Sequence, residues 1–209
     1  LIGQGHNLQN VKDIHLKRIK KILVDMYKMR FSKKENVVLY TEGVCTCIAF
    51  AIKGFYACQN ESNSLQFFCG LYHWSGFAEG VSGKDQFDQA AAQLHRFFYN
   101  LRNELHLKSD LPLVITELHF IGGERRQETL QGTEQEVIAL KKALTKIDFE
   151  EECISFSRGA ICHSNFLTSG DQSLTISVST SEISYVFDDE PSPIADESLQ
   201  ITEAPSKSI

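Results

Sequence analysis

No apolar run in this sequence approaches the roughly 20 residues that a membrane-spanning helix needs. The longest, Cys45 to Ile52, has the length of a strand. Phosphate-binding loops are also missing, since neither GxGxxG nor GxxxxGK[ST] occurs, and no internal repeat is found. Positive charge is not in excess: 21 Lys and Arg face 27 Asp and Glu, a net charge of −6. The body therefore lacks the means by which nucleic-acid-binding proteins neutralise phosphates. The opening LIGQGHNLQN has no initiator Met and lacks the basic, apolar and small-residue order of a secretory signal. It reads as the start of a processed product or of a piece of something longer.

What is present is an ordinary globular composition, 42% apolar and 23% charged over 209 residues. That excludes a fully disordered or collagen-like chain and suffices for one good core or two small ones. The charge divides into three unlike segments. Residues 11 to 34 carry +7, residues 35 to 187 carry −8, and residues 188 to 209 carry −5 with three of the four prolines. We expect an N-terminal segment over 1–34, a catalytic body over 35–187 and a disordered acidic tail over 188–209. The six cysteines lie mostly in apolar, strand-like surroundings without the spacing of a small secreted scaffold, and read as reduced thiols. Cys45 and Cys47 have no Cys/His pair at zinc-ligand spacing beside them, so no metal or other cofactor is called for.

Apolar residues from Val11 to Tyr27 recur at three and four with lysines between, which predicts a basic amphipathic helix. Runs rich in aromatic and β-branched residues predict strands at Val37–Tyr40, Cys47–Ile52, Gly54–Cys58 and Gln66–Tyr72, with a polar turn at Asn60–Ser64. A helical stripe follows over Lys84–Leu107, then a strand over Leu113–Ile121 that ends at Gly122 and Gly123. Thr133 and Glu136 form a capping-box pair opening a helix over 134–145. Strands at Cys153–Ser157, Ala160–Phe166, Leu174–Ser179 and Ile183–Phe187 close the body, with a turn at Ser169 to Asp171. Without strict β–α alternation, this order predicts an α+β fold of layered, sandwich-like sheets flanked by helices.

The segment Thr41-Glu42-Gly43-Val44-Cys45-Thr46-Cys47 follows one strand and leads into the next. Such a junction can expose a thiol at a sheet end and leave nearby backbone N–H groups unpaired by the ladder, to serve as an oxyanion hole. It needs a base, and His73 ends the strand that a hairpin would return beside Cys47. His119 and His163 are the competing histidines, and neither directly follows the Cys47 strand. Trp74, the only tryptophan, is a candidate for a substrate groove or for core packing.

Thr41-x-Gly43-x-x-Thr46-Cys47, followed by an apolar strand and a strand-end His73, resembles the CheD chemoreceptor glutamine deamidase family. Phe120-Ile121-Gly122-Gly123-Glu124 to Leu144 resembles that family's strand, Gly-Gly turn and helix. The deamidase domain of cytotoxic necrotizing factor toxins is similar in its Cys-His arrangement. The resemblance implies Cys47 as nucleophile, His73 as general base and acid, and Thr41 as the group orienting the imidazole, with Thr46 and Trp74 beside the substrate. The Cys-to-His stretch is longer here than is usual in that family, Cys45 stands at a common Gly position, and Trp-Ser follows His73 in place of Leu-Pro. The implied activity is deamidation of a glutamine on a protein substrate. The alternatives are a non-catalytic module with a regulatory protein partner, or another cysteine hydrolase such as a transglutaminase or peptidase. The acidic tail resembles the export signals of bacterial effectors, so the expected setting is an effector delivered to a host, with a cytoplasmic chemotaxis role as the alternative.

Overall fold

A computed structural model of the chain describes residues 18–58, 64–77, 84–124, 133–164 and 172–188. The predicted turns at Asn60–Ser64 (except Ser64) and Ser169–Asp171, residues 11–17 of the predicted helix, the end of the Ala160–Phe166 strand and the tail beyond Asp188 lie outside them. The elements run β1 (Lys20–Leu23), β2 (Met29–Ser32), β3 (Val37–Val44), β4 (Ile48–Ala57), β5 (Leu65–Trp74), α1 (Lys84–Glu104), β6 (Leu113–Gly122), α2 (Glu134–Leu144), β7 (Ile154–Phe156), β8 (Ile161–Ser164), β9 (Leu174–Val178) and β10 (Ile183–Phe187). The fold is α+β, with two mixed sheets and no closed barrel. The smaller sheet has the order β1-β3-β9-β10, and the larger β2-β5-β4-β6-β7, with β8 also paired to β6. Among the described residues no helix is long and apolar enough to cross a membrane.

The larger sheet has a core on each face. Alternation along β4 sends Ile48, Phe50 and Ile52 to one side and Cys47, Ala49 and Ala51 to the other. On the first side Ala90, Leu94, Phe97, Phe98 and Leu101 of α1 and Val137, Leu140 and Ala143 of α2 close the core. Phe50 is its hub, with its ring edge-on to Tyr72, Trp74, Phe97 and Phe120 at centroid distances of 5.0 to 5.6 Å. Such pairs contribute about 0.5–1.5 kcal/mol each beyond the area they bury. On the other side Leu39, Val44, Leu174, Ile176 and Val178 of the smaller sheet cover Ala49, Ala51, Leu71 and Ile121. The small alanines of β4 leave room in this layer for larger neighbours.

One element differs from its sequence reading. Lys20–Leu23, predicted as helix, is a strand parallel to Val37–Tyr40 of β3. Of the supposed apolar stripe Ile19, Leu23 and Tyr27 are exposed, at 63%, 45% and 61%, and Ile22 packs partly against the inter-sheet core, while Val24, beyond the strand, is 1% exposed. Pairing with β3 therefore overrides a helical period whose stripe is mostly left in solvent. β1 joins the smaller sheet and β2 the larger, so residues 20–32 contribute a strand to each.

Candidate active site

Two of the places where the chain crosses between the sheets meet at one point. At residues 45–47 it leaves β3 in the smaller sheet and enters β4, the middle strand of the larger one. Between β1 and β2 it crosses again, and there Met26 bridges His73, Tyr27 N–H donates to His73 O (2.8 Å) and His73 N–H donates to Lys28 O (3.3 Å). Tyr27 takes a left-handed φ of 65° to make this turn. Cys47 and His73 thus stand at the seam where one sheet feeds the other.

Register brings them together. In the β4–β5 ladder Ala49 faces His73 and Ile48 faces Trp74. Cys47 and Ala49 point into the inter-sheet core, and His73, across from Ala49, shares that face by the two-residue alternation. Cys47 and His73 are therefore diagonal neighbours by register on one face, with no hydrogen bond between the thiol and His73 Nε2. Thr41 reaches the same layer from the opposite sheet. Its Oγ1 lies 2.8 Å from His73 Nδ1, and the two residues are 1% and 3% exposed. Thr41 and His73 are thus joined across the two sheets, and Cys47 shares their layer without a hydrogen bond to His73 Nε2.

Their electrostatics are those of a dry site. Burial lowers the His73 pKa and favours the neutral imidazole. The Cys47 thiol is pushed up, first by burial, then by neighbouring Cys45 and Glu136, against a hydrogen bond with the Thr46 side chain that lowers it. His73 Nε2 is buried and has no hydrogen-bond partner. Among the described residues only one other buried side-chain atom shares that state, Oε2 of Glu136. Cys69, in the same core layer, is pushed up to about 12 by burial and behaves as an inert packing thiol.

Backbone geometry closes the floor of the site. Gly43, with φ of +66°, sits at the irregularity in β3 between Thr41 and Val44. Gly122 and Gly123 have φ of +94° and +84°. Gly123 N–H donates to Cys47 O at 2.9 Å, and a Cβ on Gly122 would stand 2.7 Å from that same oxygen. The Gly-Gly pair is therefore more than a turn: it lets the end of β6 press against the carbonyl of Cys47.

The capping-box residues of α2 serve the site rather than the helix. Thr133 makes no side-chain cap; its Oγ1 accepts Glu124 N–H at 2.6 Å, just after the Gly-Gly pair. Glu136 Oε1 accepts Phe77 N–H at 2.8 Å, three residues past Trp74. Gly76 makes this possible, since a Cβ there would lie 2.7 Å from the carboxyl. Burial pushes the Glu136 carboxyl up to about 7. Sequence reading took Thr133 and Glu136 for a helix start, and the T-x-x-E spacing alone gives no sign of where the carboxyl points.

The remaining candidates are placed as follows. Thr46 is exposed beside Cys47, where a substrate can reach it. Trp74 is 3% exposed in the helix-side core, edge-on to Phe50 and Phe77. As the neighbour of His73 on a strand it points to the opposite face of the sheet, so it packs the core and lines no groove at Cys47. His119 faces Ala51, one register step further from Cys47 than His73, with Nε2 3.3 Å from Glu117 Oε2. His163 pairs through its backbone with Phe120 on β6. Among the described residues no three His, Cys, Asp or Glu side chains gather in a way that could hold a metal ion. No protein-family model matches the chain, and no curated protein matches it.

Proposed function

We propose that this protein is a cysteine-dependent glutamine deamidase acting on a protein substrate. The observation that carries the reading is the buried 2.8 Å contact of Thr41 Oγ1 with His73 Nδ1, which leaves Nε2 unpartnered on the face of the sheet that Cys47 shares. A histidine held at one nitrogen and left open at the other beside a thiol is the arrangement a general base needs.

In the reactive tautomer Nδ1–H donates to Thr41 Oγ1, and the Nε2 lone pair takes the Cys47 proton. The thiolate forms a bond to the carboxamide carbon, and the C=O electrons move onto oxygen. The backbone N–H groups of Thr46 and Cys47 are the donors we assign to that oxyanion. As the oxyanion collapses the C–N bond breaks, and His73 gives its proton to the departing nitrogen, which leaves as ammonia. Water then gives a proton to His73 and attacks the thioester carbon. The C–S bond breaks, glutamate leaves, and Cys47 recovers its proton. The low His73 pKa and the raised thiol pKa mean that the resting pair is neutral, so proton transfer accompanies attack rather than preceding it.

The test is ammonia release from unfolded casein, which presents many accessible glutamines, with a one-dalton gain at the modified residues. Cys47→Ala should abolish both, and equal activity in that variant would overturn the reading. An added primary amine separates the transglutaminase alternative, which would incorporate it at the same glutamines. The setting we propose is a bacterial effector acting on a host protein.

A further inference from the structure

Glu136 costs the site something and returns nothing to the steps described above. Its charge opposes ionisation of Cys47, and one of its oxygens is buried without a partner. Leaving a buried acceptor unpaired is unfavourable. Yet the carboxyl is held in place with care: Oε1 is fixed by Phe77 N–H, the backbone beneath it is a glycine whose Cβ would collide with it, and Thr133, one turn earlier on α2, ties the same helix end to the Gly-Gly floor under Cys47. A carboxyl that only latched the 75–77 segment would need one oxygen, and the second oxygen is what requires an explanation.

The two orphan atoms belong to the same end of the larger sheet, where Glu136 holds the backbone just beyond β5 and Thr133 holds the backbone just beyond the Gly122-Gly123 turn that abuts the Cys47 carbonyl, and their needs are complementary to a single chemical group. His73 Nε2 waits for a proton or a leaving nitrogen, and Glu136 Oε2 waits for a donor. A primary carboxamide with its carbon at Cys47 supplies both, because its NH₂ has two hydrogens and is also the leaving group. A carboxylate supplies neither and meets like charge. We propose that Glu136 is the residue by which this site selects a primary amide, with Oε2 accepting an N–H of the substrate carboxamide. The inference rests on the deamidase reading and names its specificity determinant. It also gives the product a reason to leave: the glutamate formed carries a negative charge next to the Glu136 carboxylate. A pKa pushed up to about 7 by burial places that carboxylate within reach of neutral pH.

The test uses two alkylating agents that differ only in the group Glu136 would read. Iodoacetamide carries a primary carboxamide and iodoacetate a carboxylate. Their rates at Cys47 are read by peptide mass spectrometry, with partly buried Cys45 in the same digest as the internal standard. In the native protein the iodoacetamide-to-iodoacetate ratio at Cys47 should exceed that at Cys45. In Glu136→Gln, which keeps an oxygen for Phe77 N–H but presents NH₂ to the amide, the ratio should fall about tenfold or more, the scale of a hydrogen bond to a charged group. A ratio unchanged in that variant, with its melting temperature maintained, overturns the inference. A second measurement needs no variant: propionamide should slow alkylation of Cys47 in the native protein and propionate should not, and equal protection by the two also overturns it. The two readings fail separately. Ammonia release from casein combined with an unchanged ratio refutes the role of Glu136 alone, whereas amide preference at Cys47 without any ammonia release refutes the deamidase.

Discussion

Thr41 and His73 lie in different sheets, yet Thr41 Oγ1 and His73 Nδ1 are 2.8 Å apart in the layer between them. The contact fixes the imidazole ring from the side away from its open nitrogen. Thr41→Val keeps the volume and removes the hydroxyl. It should lower the turnover rate on casein by about 10- to 100-fold with KM little changed, and cost about 1–3 kcal/mol of stability for the unpaired Nδ1. Thr41→Ser should recover most of the rate. Steady-state kinetics and urea unfolding of the two variants check this.

His73 also sets the acid limb of activity. Its pKa lies below the ordinary 6.5, so the neutral, base-competent ring persists below that pH. The limb set by His73 should lie under pH 6.5, separate from the fall that protonation of Glu136 brings near 7, and the rate should keep rising on the alkaline side as the raised Cys47 thiol approaches ionisation. A kcat/KM profile from pH 4.5 to 10 tests both limbs.

Glu136 gives stability the opposite dependence from the usual carboxylate. Its folded pKa, about 7, is above the ordinary 4.5, so between those values the folded protein binds more protons than the unfolded chain. Its contribution to stability is full below pH 4.5 and is lost as pH rises through 7. His73 works the other way, losing stability as pH falls below 6.5. Comparison with Glu136→Gln cancels the histidine: the native protein should lose melting temperature relative to the variant between pH 5 and pH 7.5.

Gly122→Ala places a methyl 2.7 Å from the Cys47 carbonyl oxygen at a φ of +94°. Backbone must shift under the nucleophile, and the expected loss is about 1–3 kcal/mol together with most of the activity. Gly43→Ala meets open space and carries only the conformational penalty of its +66° φ, about 1 kcal/mol. Urea unfolding and casein assays on the pair separate collision from conformation.

Trp74→Phe removes part of a core ring that faces the helices, away from Cys47. It should lower stability by about 1–3 kcal/mol and leave KM for casein unchanged. A rise in KM alone would return Trp74 to the substrate groove expected from its sequence position.

Much of this was legible in the chain because local signals agreed with tertiary need. The apolar run through β4, the aromatic run of β5 and the stripe of α1 each state their own period. The return of His73 beside the strand that Cys47 leads into was legible because strand register follows from the hairpin order. Residues 20–23 misled because a spacing of three and four was met by residues that stay exposed, and only the partner strand β3 decides their state. Trp74 misled because adjacency in sequence to His73 means opposition across a sheet. Glu136 was hidden because its meaning depends on where Gly76 and Phe77 return, a contact 59 residues away in sequence.

Coupling between Cys47 and His73 is most directly tested by the reactivity of the six thiols toward a neutral disulfide, 4,4′-dithiodipyridine, resolved residue by residue near pH 7. Burial alone makes Cys47, 8% exposed, slower than half-exposed Cys45 and Cys58. With His73 serving as its base, Cys47 should instead react fastest in the native protein and slow by about 10²-fold or more in His73→Ala, while the other thiols keep their rates. A Cys47 that reacts no faster than Cys45, or at the same rate with and without His73, would contradict the Cys-His site.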